Sequence, residues 1–397
     1  MSKPRDAVSS YPMSAGALTF DPEGVLFVAD NRRAAIYAYP TDPAPAPRSV
    51  GRFLIEDVDA RVALALNVVS GKLVPPGMAV HPITKEVCLS FGLPNEGRLE
   101  AAVVRVGLDG TVSAFDLGAG NASIYFLSDV PDESQTFRSR VGDWPVPSRE
   151  AYERKARTPL RSMAIVDMKF HAGELYVSGV SNLEFSSTLR RIPFPFDDSS
   201  VETQLRIYHC AHGIYETRAP IRAMHFANID EEDTLIAAYA CSPLVLIPVS
   251  QLRAGAKVTG KTIGDMGNGQ PISMVPYRFG EKDMLLITNA ARGPVAIELA
   301  GLSGAKGITA ENAPAPFMFD LSPQMPIGPL GKQVMFVGSS LRADLISDGL
   351  FVSLTRETDT GGLTLETLPV GPLPIRLEKI WVEYDFPGVD FNLKENV

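Results

Sequence analysis

The stretch from Arg206 to Phe226, RIYHCAHGIYETRAPIRAMHF, holds three of the chain's five histidines and one of its three cysteines. His209, Cys210 and His212 offer the nitrogen and sulfur donors that suit zinc or copper, and Glu216 adds a carboxylate able to ligate or to act as a general base. If the backbone runs extended, Cys210 and His212 share one side and His209 takes the other. Bringing all three onto one ion requires a turn at Ala211, and the neighbouring Gly213 favours one. The plainer reading is a buried cysteine beside histidines that pack and bond to backbone, since no CxxC or HxxxH spacing marks a metal site. His81 and His171 fall in hairpin turns and His225 lies within a strand, so none of these three is assigned to a site.

What must position these residues is a repeated unit. ALTFDPEGVLFVADNRRAAIYAYP consists of two apolar runs joined by an Asp-Pro-Glu-Gly turn, then a third alternating run, the pattern of an antiparallel meander. It recurs as GMAVHPITKEVCLSFG, RSMAIVDMKFHAGELYVSGVSN, IRAMHFANIDEEDTLIAAYACS, ISMVPYRFGEKDMLLITNAARG and, more divergently, QVMFVGSSLRADLISDGLFVSL. The second strands begin at Leu26, Val87, Leu175, Leu235, Leu285 and Leu350. Spacings of about 50–65 residues, with one of about 88, fit four-stranded blades with generous loops. The sequence therefore predicts an all-β chain: a single β-propeller over 17–397 behind an N-terminal extension over 1–16. Six antiparallel blades are expected, with seven as the alternative. The long spacing contains DVPDESQTFRSRVGDWPVPSREAYERKARTP, read as a charged insertion at about 128–158, in which only SREAYERKA looks helical. Closure is expected from RLEKIWVEYDF near the C-terminus, because an unpaired edge strand is a liability.

In a meander the loops alternate between two faces. The segment leading into a first strand and the turn after the second strand share one of them, here called the top. That face collects Asp30, Asn31, Arg32, Asn95, Glu96, Asn182, Glu184, Asn289 and Arg292. Arg161 and Arg222 reach it from matching places in PLRSM and PIRAM, and so does the HCAH stretch. The opposite turns, DPEG, PITKE, HAGE, NIDEED and FGEKD, are ordinary charged hairpin turns. A ligand site is therefore expected at the channel mouth on the top face. Arg161 and Arg222 would form an anion clamp through their guanidinium forks, or else pair with carboxylates of neighbouring blades.

FDPEGVLFVADNRRAAIYAYP resembles repeats of the NHL and SMP-30/gluconolactonase-like propellers, which show a D-P-x-G turn, an L-F/Y-V-A-D strand and a following I-Y strand. The likeness is good over 20–40 and is one of repeat pattern elsewhere. It implies an axial divalent cation (calcium, manganese or zinc) held by carboxylate and Asn oxygens from several blades, where it polarises a lactone carbonyl or activates water. Carried onto this sequence, the candidate ligands would be Asp30 or Asn31, Asn182, Glu184 and Asn289, of which Asp30, Asn182 and Asn289 are expected to hold the metal. Glu184 and Arg222 would be catalytic, and Asn31, Arg161 and Arg292 would contact substrate.

Composition narrows the partners. A net charge of -9 with no Lys/Arg run offers no surface that tracks phosphates, so nucleic acid is not expected. No window approaches the roughly 18 apolar residues of a membrane span. MSKPRDAVSSYPMSAG lacks an apolar signal region, so a cytoplasmic location is expected. Cys88, Cys210 and Cys241 are too few and too widely spaced for a disulfide framework. Neither a nucleophile elbow nor a Walker loop occurs, and the glycines of GDMGNGQ open no helix. The expected function is a small-molecule enzyme of the metal-dependent lactonase or hydrolase type. The alternative is a non-catalytic propeller that binds a protein, peptide or sugar on the same face.

Overall fold

Alternating apolar and polar residues give each strand two unlike faces, and the turn residues close tight hairpins between them. The computed structural model describes residues 11–370 apart from 137–158, 314–339 and shorter stretches, among them 42–45, 70–72, 96–97, 211, 241–242, 267–270 and 290–293. In the first unit Leu18–Phe20 pairs with Leu26–Asp30, which pairs with Ala35–Tyr39. Its Asp-Pro-Glu-Gly turn is held by Asp21 Oδ1, which accepts the Val25 amide at 2.7 Å. Gly24 takes φ +93 there, a conformation that a side chain would oppose. The second strands of the six units lie where the alternation puts them, beginning at Leu26, Val87, Glu174, Glu232, Lys282 and Leu350.

The first strands, Leu18–Phe20, Met78–Val80, Asp167–His171, Ile221–Ile229, Pro271–Phe279 and Ser340–Ser347, surround the axis, each against two neighbours. Six blades thus close a ring, and the chain is a β-propeller. Numbered along the chain, blade 2 sits between blades 1 and 6, so ring order differs from chain order. The chain lays down three strands of blade 1, gives Leu54–Ile55 to the outer edge of blade 6, builds blade 2, and returns with Ser123–Phe126 to complete blade 1. The pairing of Ile55 with Leu365 ties the two ends of the ring together. RLEKIWVEYDF, expected to do this, lies outside the described residues. Part of the long spacing is this return path. Of the expected insertion at about 128–158, residues 137–158, which include SREAYERKA, lie outside the described residues.

Blades 1, 2, 4 and 6 have four antiparallel strands. In blade 3 the outer strand Val201–His209 also pairs with short Ile214–Glu216 and, in parallel, with Lys257–Thr259. Blade 5 shows three strands among the described residues. Apolar faces of adjacent blades interlock, as where Ile236 and Leu244 of blade 4 meet Leu285 and Ile287 of blade 5. Each such fully buried side chain contributes about 1.5–3 kcal/mol.

One α-helix, Val58–Leu66, occurs among the described residues, and the sequence reading did not anticipate it. Val58 and Val62, four apart, bury one side of it against Val104 of blade 2 and Leu365 of blade 6. Asp59 turns inward and accepts the amides of Leu73 at 3.1 Å and Leu363 at 2.6 Å. Nine residues with no side-chain cap give little helical signal, so packing between the blades decides the conformation. No helix of the described residues is long and apolar enough to cross a membrane.

Candidate functional site

The six inner strands enclose an axial cavity of about 420 Å³. Alternation sends residues i and i+2 of a strand to the same side, so the inner strand of blade 3 turns Asp167 and Lys169 into the channel and that of blade 6 turns in Arg342 and Asp344. Arg222 of blade 4 joins them near the top, and Asp21 lines the lower end. Asp167 Oδ2 accepts the Met224 amide of the next blade at 3.0 Å. Desolvation among the blades pushes its carboxyl up to about 6, against the pull of Lys169, Arg342 and two backbone amides.

Arg342 spans three blades. Its guanidinium donates to the Ile272 carbonyl at 3.1 Å and to the Pro76 carbonyl. Desolvation lowers it to about 10, with Asp167 opposing the fall and Arg222 adding to it. Arg222 Nε donates to the Pro271 carbonyl at 3.1 Å. Asp344 accepts the Val80 amide at 3.2 Å and the Leu345 amide at 2.8 Å. The top of the channel therefore carries two guanidiniums and one carboxyl, and the lower part carries Lys169 with Asp344 and Asp21.

A larger depression, about 700 Å³, lies over blades 1, 2 and 3 and shares Pro76 with the channel wall. Asn31, Arg32, Glu100, Glu133 and Arg161 line it. Arg161 donates to the carbonyls of Pro131 at 2.8 Å and Arg32 at 3.3 Å, and lies 3.5 Å from Glu133. Asn31 clips blade 1 to blade 3: Nδ2 donates to the Ile165 carbonyl at 2.9 Å and Oδ1 accepts the Ile165 amide at 2.8 Å.

The other expected residues lie apart. Asp30 is fully buried and accepts the Met13 amide at 2.7 Å, the Ser14 hydroxyl at 2.6 Å and the amides of Arg32 and Arg33 at 3.0 and 3.2 Å. Asn182 donates through Nδ2 to the Val130 carbonyl at 2.8 Å. Glu184 is exposed and ion-paired to Lys257, whose ammonium sits 5.2 Å over the Phe185 ring. Asn289 is buried at the end of its strand, opposite Pro271. Arg292 lies outside the described residues. Asn31 and Arg161 thus meet at the depression and Arg222 reaches the channel. Asp30, Asn182, Glu184 and Asn289 do not converge on one point.

Among the described residues, the His, Cys, Asp and Glu side chains whose donor atoms come within 4.8 Å of one another in a group of three are His209, His212 and Glu216. The outer strand of blade 3 ends at His209, and a turn through Gly213, φ +66, sends the chain back as Ile214–Glu216. The Gly213 amide closes that turn on the His209 carbonyl at 2.9 Å. His212 then lies 3.9 Å ring to ring from His209, and Glu216 Oε1 lies 2.6 Å from His212 Nδ1. Cys210 is buried outside this group, and burial pushes its thiol up to about 11, with Asp265 adding to the rise. The hairpin occupies the outer edges of blades 3 and 4, away from the axis.

The sequence reading missed Asp167, Lys169, Arg342 and Asp344. Their signal was present: opposite charges at i and i+2 inside otherwise apolar first strands, VDMKF and LRADL.

No family model and no curated protein matches this chain. Among solved structures, a glucose dehydrogenase is similar over 91% of this chain and 97% of its own, at 13% sequence identity and a TM-score of 0.32. A chain from a structure of the mitotic checkpoint complex is similar over 93% of this chain and 95% of its own, at 8% identity and a TM-score of 0.34. U3-55K matches over 90% and 96%, at 10% identity and a TM-score of 0.35. Likenesses this distant carry no argument about activity.

Proposed function

We propose that the chain is a small-molecule enzyme whose axial channel binds an anionic or zwitterionic ligand. The carboxylate or phosphate of the ligand would face Arg222 and Arg342, and its ammonium or hydroxyl groups would face Asp344. The observation that supports this is the set of ionisable side chains facing one another across a cavity of about 420 Å³. Each ion taken from water into such a place costs several kcal/mol, which an apolar axial core would avoid.

Asp167 supplies the chemistry. A carboxyl held at about 6 is mostly ionised at neutral pH yet a stronger base than an ordinary carboxylate, the condition for taking a proton at a bound ligand. Beside two guanidiniums, it suits hydrolysis of an ester or lactone. Asp167 would take a proton from the attacking water while Arg342 and Arg222 face the tetrahedral oxyanion, and would return that proton to the leaving oxygen as the oxyanion collapses and the acyl–oxygen bond breaks. In this form the lactonase expectation rests on the channel residues, and no part of it uses Glu184.

The test is a thermal-shift panel of small carboxylates, sugar phosphates and lactones, followed by hydrolysis assays on the compounds that bind. Compounds that raise the Tm of the wild type should lose most of that effect with Arg342→Gln and Arg222→Gln. Asp167→Asn should keep binding and lose turnover. A shift of equal size in Arg342→Gln would move the ligand out of the channel.

A further inference from the structure

We infer that the hairpin at the outer edges of blades 3 and 4 binds a first-row divalent metal ion, zinc being the best fit, through His209, His212 and Glu216. This site is separate from the axial channel and does not rest on the function proposed there.

The geometry comes from one turn. His209 and Ile207 lie on the same side of their strand, and Ile207 pairs with Glu216, so Glu216 and His209 are diagonal neighbours on one face of the hairpin. The turn through Gly213 then folds His212 over them. Glu216 Oε1 stands 3.2 Å from His209 Nδ1 and 2.6 Å from His212 Nδ1, so both imidazoles address the same carboxylate oxygen.

His209 gives a second, independent observation. It is buried, with 1% of its side chain exposed, and neither ring nitrogen makes a well-directed hydrogen bond. Two carboxylates are close, Glu216 at 3.2 Å from Nδ1 and Asp265 at 3.6 Å from Nε2, but neither is aligned as an acceptor. A buried polar group in that condition costs about 1–3 kcal/mol, and an ion on Nδ1 removes that cost. Asp265, 3.6 Å from Nε2, favours by its negative charge the tautomer protonated there, which leaves the Nδ1 lone pair for the metal. Carboxylates placed behind ligating histidines do this generally.

The donor set selects the ion. Two imidazoles and one carboxylate suit zinc and its first-row neighbours and leave a position for water, whereas calcium prefers six to eight oxygens. Donors about 2.0–2.1 Å from a tetrahedral ion stand roughly 3.3 Å from one another. The His209–Glu216 separation of 3.2 Å already meets that spacing. The His212–Glu216 contact must open by less than an ångström, and both side chains are partly exposed. Exposed Ile214 and Tyr215 place the hairpin at the surface, within reach of ions in solution.

The competing account is a plain hydrogen-bonded His–Glu–His cluster. The experiment uses the full chain after dialysis against a chelator, titrated with zinc by calorimetry and with cobalt(II) by visible absorption. Wild type should bind one equivalent, and cobalt should develop the d–d bands of a four- or five-coordinate site. His212→Ala and Glu216→Gln should each weaken binding at least tenfold. Asp265→Asn, a positioning change, should weaken it while leaving the cobalt spectrum unaltered. Cys210→Ser and Asp167→Asn should bind as the wild type does.

Circular dichroism of the metal-free variants separates lost binding from lost folding. The His212 and Glu216 variants change partly exposed side chains, so the test holds even where a His209 variant fails to fold. Absence of saturable binding by wild type, or undiminished binding by both His212→Ala and Glu216→Gln, overturns the site. Loss of binding in Cys210→Ser transfers it to the thiol and overturns the donor set.

Discussion

In the axial channel, Asp167 and Arg342 come from inner strands of blades laid down far apart in the chain, and six blades must close before they meet. At the outer edge, His209, His212 and Glu216 come from a single hairpin. Both regions take charge out of water and settle it differently. In the channel, desolvation dominates, lifting Asp167 to about 6 and lowering Arg342 to about 10. At the hairpin, burial also acts to raise Glu216, but the two imidazoles beside it, His209 at 3.2 Å and His212 at 2.6 Å, outweigh it and hold the carboxyl down at about 2. Partners made by local chain geometry satisfy a charge, whereas partners assembled across a ring leave it poised to change state.

The largest expected effect breaks the channel. Arg342→Ala removes a guanidinium that bridges three blades and opposes Asp167, so a loss of about 3–5 kcal/mol is expected in urea unfolding. The exposed pair of Glu184 and Lys257 is the contrasting case. A loss in Arg342→Ala no greater than in Glu184→Ala would erase the distinction between assembled and surface charge.

Next comes the pH dependence of Asp167. Its folded carboxyl is raised from 3.8 to about 6, so the folded state holds the proton more tightly than the unfolded chain. The stabilisation from this group is full below about 3.8 and lost as pH rises through about 6. Asp167→Asn should therefore be more stable than wild type by about 2–3 kcal/mol at pH 8 and nearly equal to it at pH 3. His225 works the other way. Burial pushes its imidazole down to about 3, helped by Lys169 and His171, so its contribution is present above 6.5 and lost as pH falls toward 3. Acid destabilisation in that window should persist in Asp167→Asn. Urea melts at pH 3, 5 and 8 test both trends, and a wild-type-minus-variant difference independent of pH would contradict the first.

A smaller effect concerns the thiols. Burial pushes Cys88 up to about 12 and Cys210 up to about 11. Neither should react with iodoacetamide at pH 8 in the folded protein, and both should react in urea, as read by peptide mass spectrometry. Labelling of folded Cys210 would show a more open hairpin than the one described. The smallest effect is at Glu184. It is exposed and paired only at the surface, so Glu184→Ala should cost at most about 0.5 kcal/mol and leave ligand binding in the channel unchanged.

The repeat was legible because every unit keeps its alternation and turn residues, and the second strands from Leu26 to Leu350 lie where those patterns place them. Ring order was not legible, because Leu54–Ile55 is too short to announce that it completes blade 6. The helix Val58–Leu66 escaped for the related reason that tertiary packing specifies it. In the HCAH stretch the turn could be inferred from Gly213, but strand alternation alone paired Cys210 with His212. The turn itself instead carries His212 across to His209 and Glu216, and leaves Cys210 in the core. The top-face oxygens misled because Asn and Asp after a strand also serve turns and clips. Asp30 spends its oxygens on four donors, and Asn31 spends its amide on Ile165. The channel charges were hidden inside apolar strands, where a pair such as Asp167 and Lys169 reads as ordinary alternation until the inner position of the strand is known.

The most direct test of the account is one thermal-shift series with the anion panel on wild type, Arg342→Gln and Glu216→Gln. The shifts seen with wild type should vanish in Arg342→Gln and survive in Glu216→Gln, which would place the ligand on the axis and keep the hairpin independent of it. Shifts that survive Arg342→Gln, or that disappear in Glu216→Gln, would contradict it.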